Sequence, residues 1–308
     1  MPLNRPSHEF STELIREKCS DFADFHVWPL KQRLDPRGWL SNFSDDDNLL
    51  AHHLLNGFMY FSDELTIQLF VTALKNIALH PSWRQQNPAD IFVAWPQFLQ
   101  RLKMTYVTGE IPNPTDSGQM FTRKARDFAN IDESQIQSPE RVLADFFQGD
   151  RSPIVFVDDF VGSGNQFCET WERDYSVAGT RTSFYEVSNQ MKMTEVYYAP
   201  AVCTATGLRE INRRCPGVVV VAGNFLSDHY SLFHSDSLLW PDALLADGQE
   251  MITRVSNDLG IPSDENIWDY RGFHKLGLAL GFSHKVPDAT IPLFRWNSDD
   301  WHPLVKDV

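Results

Sequence analysis

The chain has 308 residues, room for one large or two modest domains at ~100 to 200 residues each. Its 42% hydrophobic residues and 16 glycines match the roughly 45–50% apolar content of ordinary globular chains, and 22% charged residues with 18 prolines exclude collagen-like, mucin-like and wholly disordered readings. With 27 basic against 41 acidic side chains the net charge is -14, which excludes long-range attraction to a nucleic-acid backbone by net charge alone; such a partner needs a local basic patch.

The first forty residues mix charge with Pro29, Pro36 and Gly38, and no repeat at periods of about 20 to 50 residues runs along the chain. From Asn48 onward Leu49, Leu50, His53, Leu54, Gly57, Phe58 and Phe61 fall on one helical stripe, with Asp45 to Asp47 near the positive end of its dipole. Ser62 and Asp63 offer a second cap, and Leu65, Leu69, Phe70, Ala73, Leu74, Ile77 and Ala78 then recur at threes and fours before Pro81. These segments predict a helical hairpin within an N-terminal helical module over residues 1–85, with His52 and His53 capping or packing it.

After Pro88 strands and helices alternate, which predicts an α/β domain with a mainly parallel sheet over residues 86–308. Ile91–Trp95 is the first short apolar run, Gln119–Asn130 and Pro139–Phe147 read as helices, and Ile154–Val157 as a buried strand. Glu195–Val202 and Val218–Ala222 read as strands around a helix at Gly207–Arg214. Trp240–Leu259 reads as a long helix, Leu276–Phe282 as a last glycine-interrupted strand, and 287–303 as irregular.

Cys19, Cys168, Cys203 and Cys215 lie far apart without CxxC spacing and read as four reduced thiols. The opening MPLNRPSHEF has no apolar h-region, and no stretch approaches the ~18 apolar residues of a bilayer span. The expectation is a cytoplasmic protein with no membrane contact.

Ile154–Phe167, IVFVDDFVGSGNQF, carries the chemistry. Four β-favouring residues, two carboxylates, two apolar residues and Gly162-Ser163-Gly164-Asn165 predict a strand, a loop and a helix N-terminus. Ligands of a parallel sheet sit at the carboxyl ends of its strands, where Asp158 and Asp159 would emerge. Glycines at 162 and 164 permit positive φ and close approach, so that amides turn toward a phosphate with help from the helix dipole; Ser163 adds a hydroxyl. The acidic pair would repel a phosphate aimed at it, and so suits neutral hydroxyls or a metal ion nearby. A sugar phosphate satisfies both halves.

This arrangement resembles the phosphoribosyl diphosphate (PRPP) binding motif of the phosphoribosyltransferases. The resemblance implies a sheet of the type I phosphoribosyltransferase kind, with Asp158 and Asp159 as the catalytic acids that hold the ribose hydroxyls and, indirectly, Mg2+. It also implies a phosphate loop of Phe160, Val161, Gly162, Ser163, Gly164, Asn165 and Gln166. Three positions depart from the pattern: Phe160 is bulkier than the usual aliphatic residue, Gly162 stands where a Thr or a catalytic Asp is common, and Gln166 where a small residue or Thr is usual. More widely, Trp39-Leu40-Ser41-Asn42-Phe43, Asp116-Ser117-Gly118, Pro292-Leu293 and Trp301-His302-Pro303-Leu304 look like the phosphoribosyltransferase-like proteins of bacterial conflict systems, which accompany antiphage defence elements including some retrons. On that resemblance Asp116, Ser117 and Gly118 would shape a loop that meets the diphosphate, with Arg123, Lys124 and Arg126 supplying positive charge. The implied function is that of a defence effector or toxin that binds PRPP or a related ribose phosphate and transfers or cleaves at the anomeric carbon. Its partners would be proteins of a defence system, a reverse transcriptase with msDNA among the candidates.

Other readings stay open. The partner motif GxxxxGK[ST] of a nucleotide hydrolase is absent, and adjacent acids do not fit the DxDx[TV] phosphatase pattern. The Asp116-Ser117-Gly118 stretch is also an ordinary turn, Arg123, Lys124 and Arg126 also a solvated helix face, and Asp228-His229 a hydrogen-bonded surface pair. A non-catalytic nucleotide-sensing or scaffold protein, which Gly162 and Gln166 favour, and a nucleosidase acting on NAD or nucleotides are the alternative functions.

Overall fold

The computed structural model describes residues 12–29, 32–80, 88–109, 117–177, 179–191, 193, 195–263 and 267–306. The chain begins with α1 (Thr12–Asp24), α2 (Pro36–Leu40), α3 (Asn48–Asn56) and β1 (Met59–Phe61). There follow α4 (Asp63–Asn76), α5 (Pro88–Arg101), β2 (Lys103–Tyr106), α6 (Ser117–Ala129), α7 (Pro139–Phe147), β3 (Ile154–Val161) and α8 (Asn165–Glu172). Next come β4 (Tyr175–Val177), β5 (Thr180–Thr182), α9 (Phe184–Met191), β6 (Val196–Thr204), α10 (Ala205–Arg214), β7 (Val218–Val220) and β8 (Asn224–Leu226). The last elements are α11 (Leu245–Asp258), β9 (Trp268–Asp269), β10 (Gly272–Phe273) and β11 (Leu280–Phe282). Among the described residues no helix is long and apolar enough to cross a membrane.

Contacts divide the chain into two compact units: Met1–Asp63 joined with Asp228–Val308, and Glu64–Ser227. This division differs from the expected helical module over 1–85 and α/β domain over 86–308. The α/β unit is a continuous insertion, and the other unit is completed by both ends of the chain.

The α/β unit is built on a five-stranded parallel sheet in the order β2-β3-β6-β7, with β8 also paired to β6. β3 and β6 are buried almost throughout, as expected of a parallel strand covered on both faces. Phe70, Phe98 and Phe121, from α4, α5 and α6, pack one face against Val155, Val157 and Tyr197. Phe146, Phe167, Phe184 and Ile211, from α7 to α10, pack the other against Ile154, Phe156 and Tyr198.

β7 and β8 are one strand interrupted in its ladder. Val196 faces Val218 and Val202 faces Asn224, so the register is kept across the gap. Opposite the gap stands Pro200, which has no N–H to give; Val221 and Gly223 still donate to the carbonyls of Tyr198 and Pro200 at 2.8 and 3.2 Å. Beyond β2, Ile136 forms a single parallel bridge with Met104. The chain thus runs outward from β2 through α6 to Ile136, then back through α7 to β3 on the inner side. That reversal sets a topological switch point between β2 and β3, with α6 and α8 on opposite faces.

The other unit is built around Trp39, which is fully buried and stacks on Phe294 at 5.3 Å. The Trp39 indole and the Trp301 indole both donate to the carbonyl of Leu293, at 2.8 and 3.1 Å. Asn42 and His302 exchange two hydrogen bonds, at 2.8 and 2.9 Å. The residues that carried the wider resemblance at the two ends of the chain therefore meet as core and cross-link of this unit. β1 pairs in parallel with β11, and Phe61 stacks on Phe282 at 4.9 Å.

Several predicted elements are corrected. The expected helical hairpin is not formed, because α3 ends at Asn56 and Phe61, placed on its stripe, lies in β1. Ile91–Trp95 belongs to α5, since an unbroken apolar run carries no period that separates strand from helix. The first strand of the main sheet is instead Lys103–Tyr106, where polar residues masked it. Trp240–Leu259 is a 3-10 turn at Asp242–Leu244 followed by α11. Leu276–Phe282 is strand only from Leu280, as Gly277 at φ +61° breaks it, and β11 pairs outside the main sheet.

A Cβ at Gly223 would lie 2.0 Å from the carbonyl oxygen of Leu69. Gly223→Ala is expected to destabilise the protein by about 1–3 kcal/mol in chemical denaturation, because backbone rather than a flexible side chain must move.

Candidate functional site

The segment after β3 folds as the apolar run and glycines dictate. β3 continues through both acids to Val161, Gly162 and Ser163 form a half-buried bend, and Gly164 at φ +85° occupies the position before α8 without a side chain to cap it. Glycine at 164 is required twice over, by that φ and because a Cβ there would sit 2.7 Å from the carbonyl oxygen of Gly207 on α10. A Cβ on Gly207 would in turn lie 2.5 Å from the carbonyl oxygen of Gly162. Thr204 completes the clamp: its hydroxyl donates to the Gly162 carbonyl at 2.5 Å and accepts from the Gly207 amide at 2.9 Å, capping α10.

α8 differs from α10 in having no side-chain cap. Among the described residues, the amides of Gly162, Ser163 and Gly164 donate to no protein acceptor. They precede α8 at the positive end of its helix dipole, where the Asn165 amide donates to the Ser163 hydroxyl at 3.4 Å. This is an arrangement suited to an anion.

Asp158 and Asp159 precede this run and are 2% and 1% exposed. The ladder to β6 skips Asp159, between the pairs Asp158–Pro200 and Phe160–Val202. Asp158 lies on the face of Phe156 and Tyr198; its carboxylate accepts from the Asp159 amide at 2.9 Å and from the Tyr198 hydroxyl at 3.2 Å. Burial pushes the Tyr198 phenol far up, with the nearby Asp158 acting in the same sense, so it stays protonated and donating. Asp159 turns its carboxylate to the Phe160 amide at 2.8 Å. Asn165 and Gln166 follow in the first turn of α8, Asn165 half-buried and Gln166 exposed.

Of the second expected loop, Asp116 lies outside the described residues and Ser117 opens α6. Gly118 abuts the end of β2, since a Cβ there would lie 2.6 Å from the carbonyl oxygen of Val107. Arg123 and Arg126 are exposed further along α6; Arg126 pairs with Asp127 at 2.9 Å, and Lys124 lies over the Phe121 ring at 6.0 Å. The loop after β2 is gripped instead by residues that no motif announced. Arg173 donates to the Thr108 hydroxyl and, at 2.7 Å, to the Gly109 carbonyl, while the Thr108 amide donates to Thr170 at 3.2 Å. α8 therefore follows the Gly162 to Gly164 amides at its start and ties down the neighbouring loop at its end. Thr204, Tyr198, Thr170 and Arg173, none of which a sequence motif singled out, reach the site through pairings distant in sequence.

These features define an α/β protein with an uncapped, glycine-bearing strand–loop–helix junction beside the switch point of a parallel sheet. A family model described as PRTase-CE matches residues 36–306, and the chain belongs to that family, which makes it phosphoribosyltransferase-like. No curated protein and no solved structure matches the chain.

Thr204→Val, which keeps the shape and removes both hydroxyl bonds, is expected to cost about 1–2 kcal/mol of stability. Amide hydrogen exchange of residues 162–167 should accelerate more than exchange in β3.

Proposed function

We propose that the β3–α8 junction binds the 5-phosphate of PRPP or a related ribose phosphate, with the ribose lying toward Asp158 and Asp159. The observation that carries the reading is the run of uncommitted amides at Gly162 to Gly164 before an uncapped helix, in a chain of a phosphoribosyltransferase-like family. Displacement at the anomeric carbon with loss of diphosphate is the reaction this binding mode serves, and positioning and charge stabilisation carry it rather than a protein nucleophile. The fold kind we assign is the type I phosphoribosyltransferase sheet; the reversal between β2 and β3 supports it.

Among the described residues no group of three or more His, Cys, Asp or Glu is gathered to hold a metal ion. Two buried carboxylates engaged with backbone amides fit Mg2+ only at second hand. The ion would come with the diphosphate and keep most of its water, a habit of this cation. Asp158 and Asp159 would meet its hydration shell.

The biological role we assign is that of an antiphage defence effector in the cytoplasm, restrained by partner molecules. It rests on the resemblance in Trp39–Phe43, the acidic-pair loop and Trp301–Leu304. The second reading is a non-catalytic sensor that uses the same loop. What favours it is the burial of both acids together with Gly162 in place of an acid.

Calorimetry of the full chain with PRPP and Mg2+, followed by assay of released diphosphate, tests both readings. Binding with turnover is expected for the enzyme, and binding without turnover selects the sensor. Asp158→Asn combined with Asp159→Asn should weaken PRPP binding at least tenfold with the fold intact by circular dichroism. Unchanged affinity in that double variant removes the acids from the site.

A further inference from the structure

In the unit that contains α1 and α3, Arg16 and His52 form a pair that the reading above does not use. The Arg16 Nε donates to His52 Nε2 at 3.0 Å, and His52 Nδ1 lies 2.7 Å from the carbonyl oxygen of Asn48, one turn back on α3. A guanidinium only donates, so Nε2 is the acceptor, Nδ1 carries the proton and the ring is neutral. His52 is fully buried, and desolvation lowers its pKa, in keeping with that neutral ring. A buried imidazole oriented by the backbone thus holds an arginine by its inner nitrogen.

The outer end of that arginine is left available. Among the described residues its two terminal amino groups donate to no protein acceptor, and Arg16 lines a pocket of about 800 Å3. Ligand pockets run to roughly 300–1,000 Å3. Apolar groups from Cys19, Leu34, Leu40, Phe43 and Leu55 line the same space. Burial pushes the Cys19 thiol up to about 11, so it adds no charge. Two carboxylates border the pocket. Asp35 is engaged by the Gly38 amide at 3.0 Å and the Lys306 ammonium at 3.3 Å, and Asp45 is exposed to solvent. Arg37 adds a second guanidinium to the lining.

We propose that this pocket is a binding site for an amphipathic carboxylate, with its head bidentate on the terminal amino groups of Arg16 and its hydrocarbon body on the apolar wall. The planar fork of a guanidinium matches a carboxylate in this way, and fixing the fork beforehand by His52 lowers the entropy lost on binding. The site lies wholly among residues outside the β3–α8 junction, so it stands or falls independently of PRPP binding.

The test is calorimetry of the full chain with decanoate, decanol and butyrate. Decanoate is expected to bind at least tenfold more tightly than either, since only it offers both head and body. Arg16→Gln should erase the preference for acid over alcohol while decanol affinity stays unchanged. Ser20→Trp, a substitution at an exposed pocket residue, should abolish decanoate binding by filling the space. Equal affinity for decanoate and decanol, a preference that survives Arg16→Gln, or decanoate binding unaffected by Ser20→Trp would each overturn the proposal.

Discussion

The α/β unit depends on one backbone contact. Gly164 at the start of α8 and Gly207 at the start of α10 lie so close that a methyl group on either would enter the carbonyl shell of the other segment. Van der Waals repulsion therefore dictates both residues, and the Thr204 hydroxyl locks the contact from the side. The carbonyl of Gly162 is thereby engaged by Thr204. Among the described residues the amides of Gly162, Ser163 and Gly164 have no protein acceptor, and such donors before a helix suit an anion.

Much of this junction was legible in the sequence, because each part obeys a local rule. Four apolar β-formers make a buried strand, and glycines flanking a serine mark a bend before a helix. What was not legible is where the acids point. Adjacent carboxylates after an apolar run read as the exposed end of a strand, whereas pairing continues to Val161 and buries both. Strand length is set by the partner, and here β6 runs on to Thr204. Local signal failed in two other places: Lys103 and Thr105 give β2 little apolar signal, and the unbroken apolar run Ile91–Trp95 carries no period that marks it as helix. Arg173 illustrates a further kind of loss: a single arginine beyond a helix carries no pattern, yet it holds Thr108 and Gly109, more than sixty residues earlier.

The division into units also changes the meaning of the motifs at the chain ends. Trp39, Asn42 and Trp301 resemble a family signature, and inside the discontinuous unit all three make hydrogen bonds, Trp39 stacks on Phe294 and Trp301 meets Phe43 edge to face. They report membership through the fold they stabilise. The amides of Gly162 to Gly164, by contrast, have no protein acceptor among the described residues and lie beside the switch point.

That discontinuity has a kinetic meaning on the ribosome. Met59 pairs with Leu280 and Asn42 with His302, so the N-terminal aromatic residues emerge long before their neighbours are translated. At about 5–20 residues per second the interval is on the order of ten seconds or more, ample time for the contiguous insert to collapse first. Until residues 280–302 follow, Trp39 and the apolar side chains around it lack the neighbours that bury them.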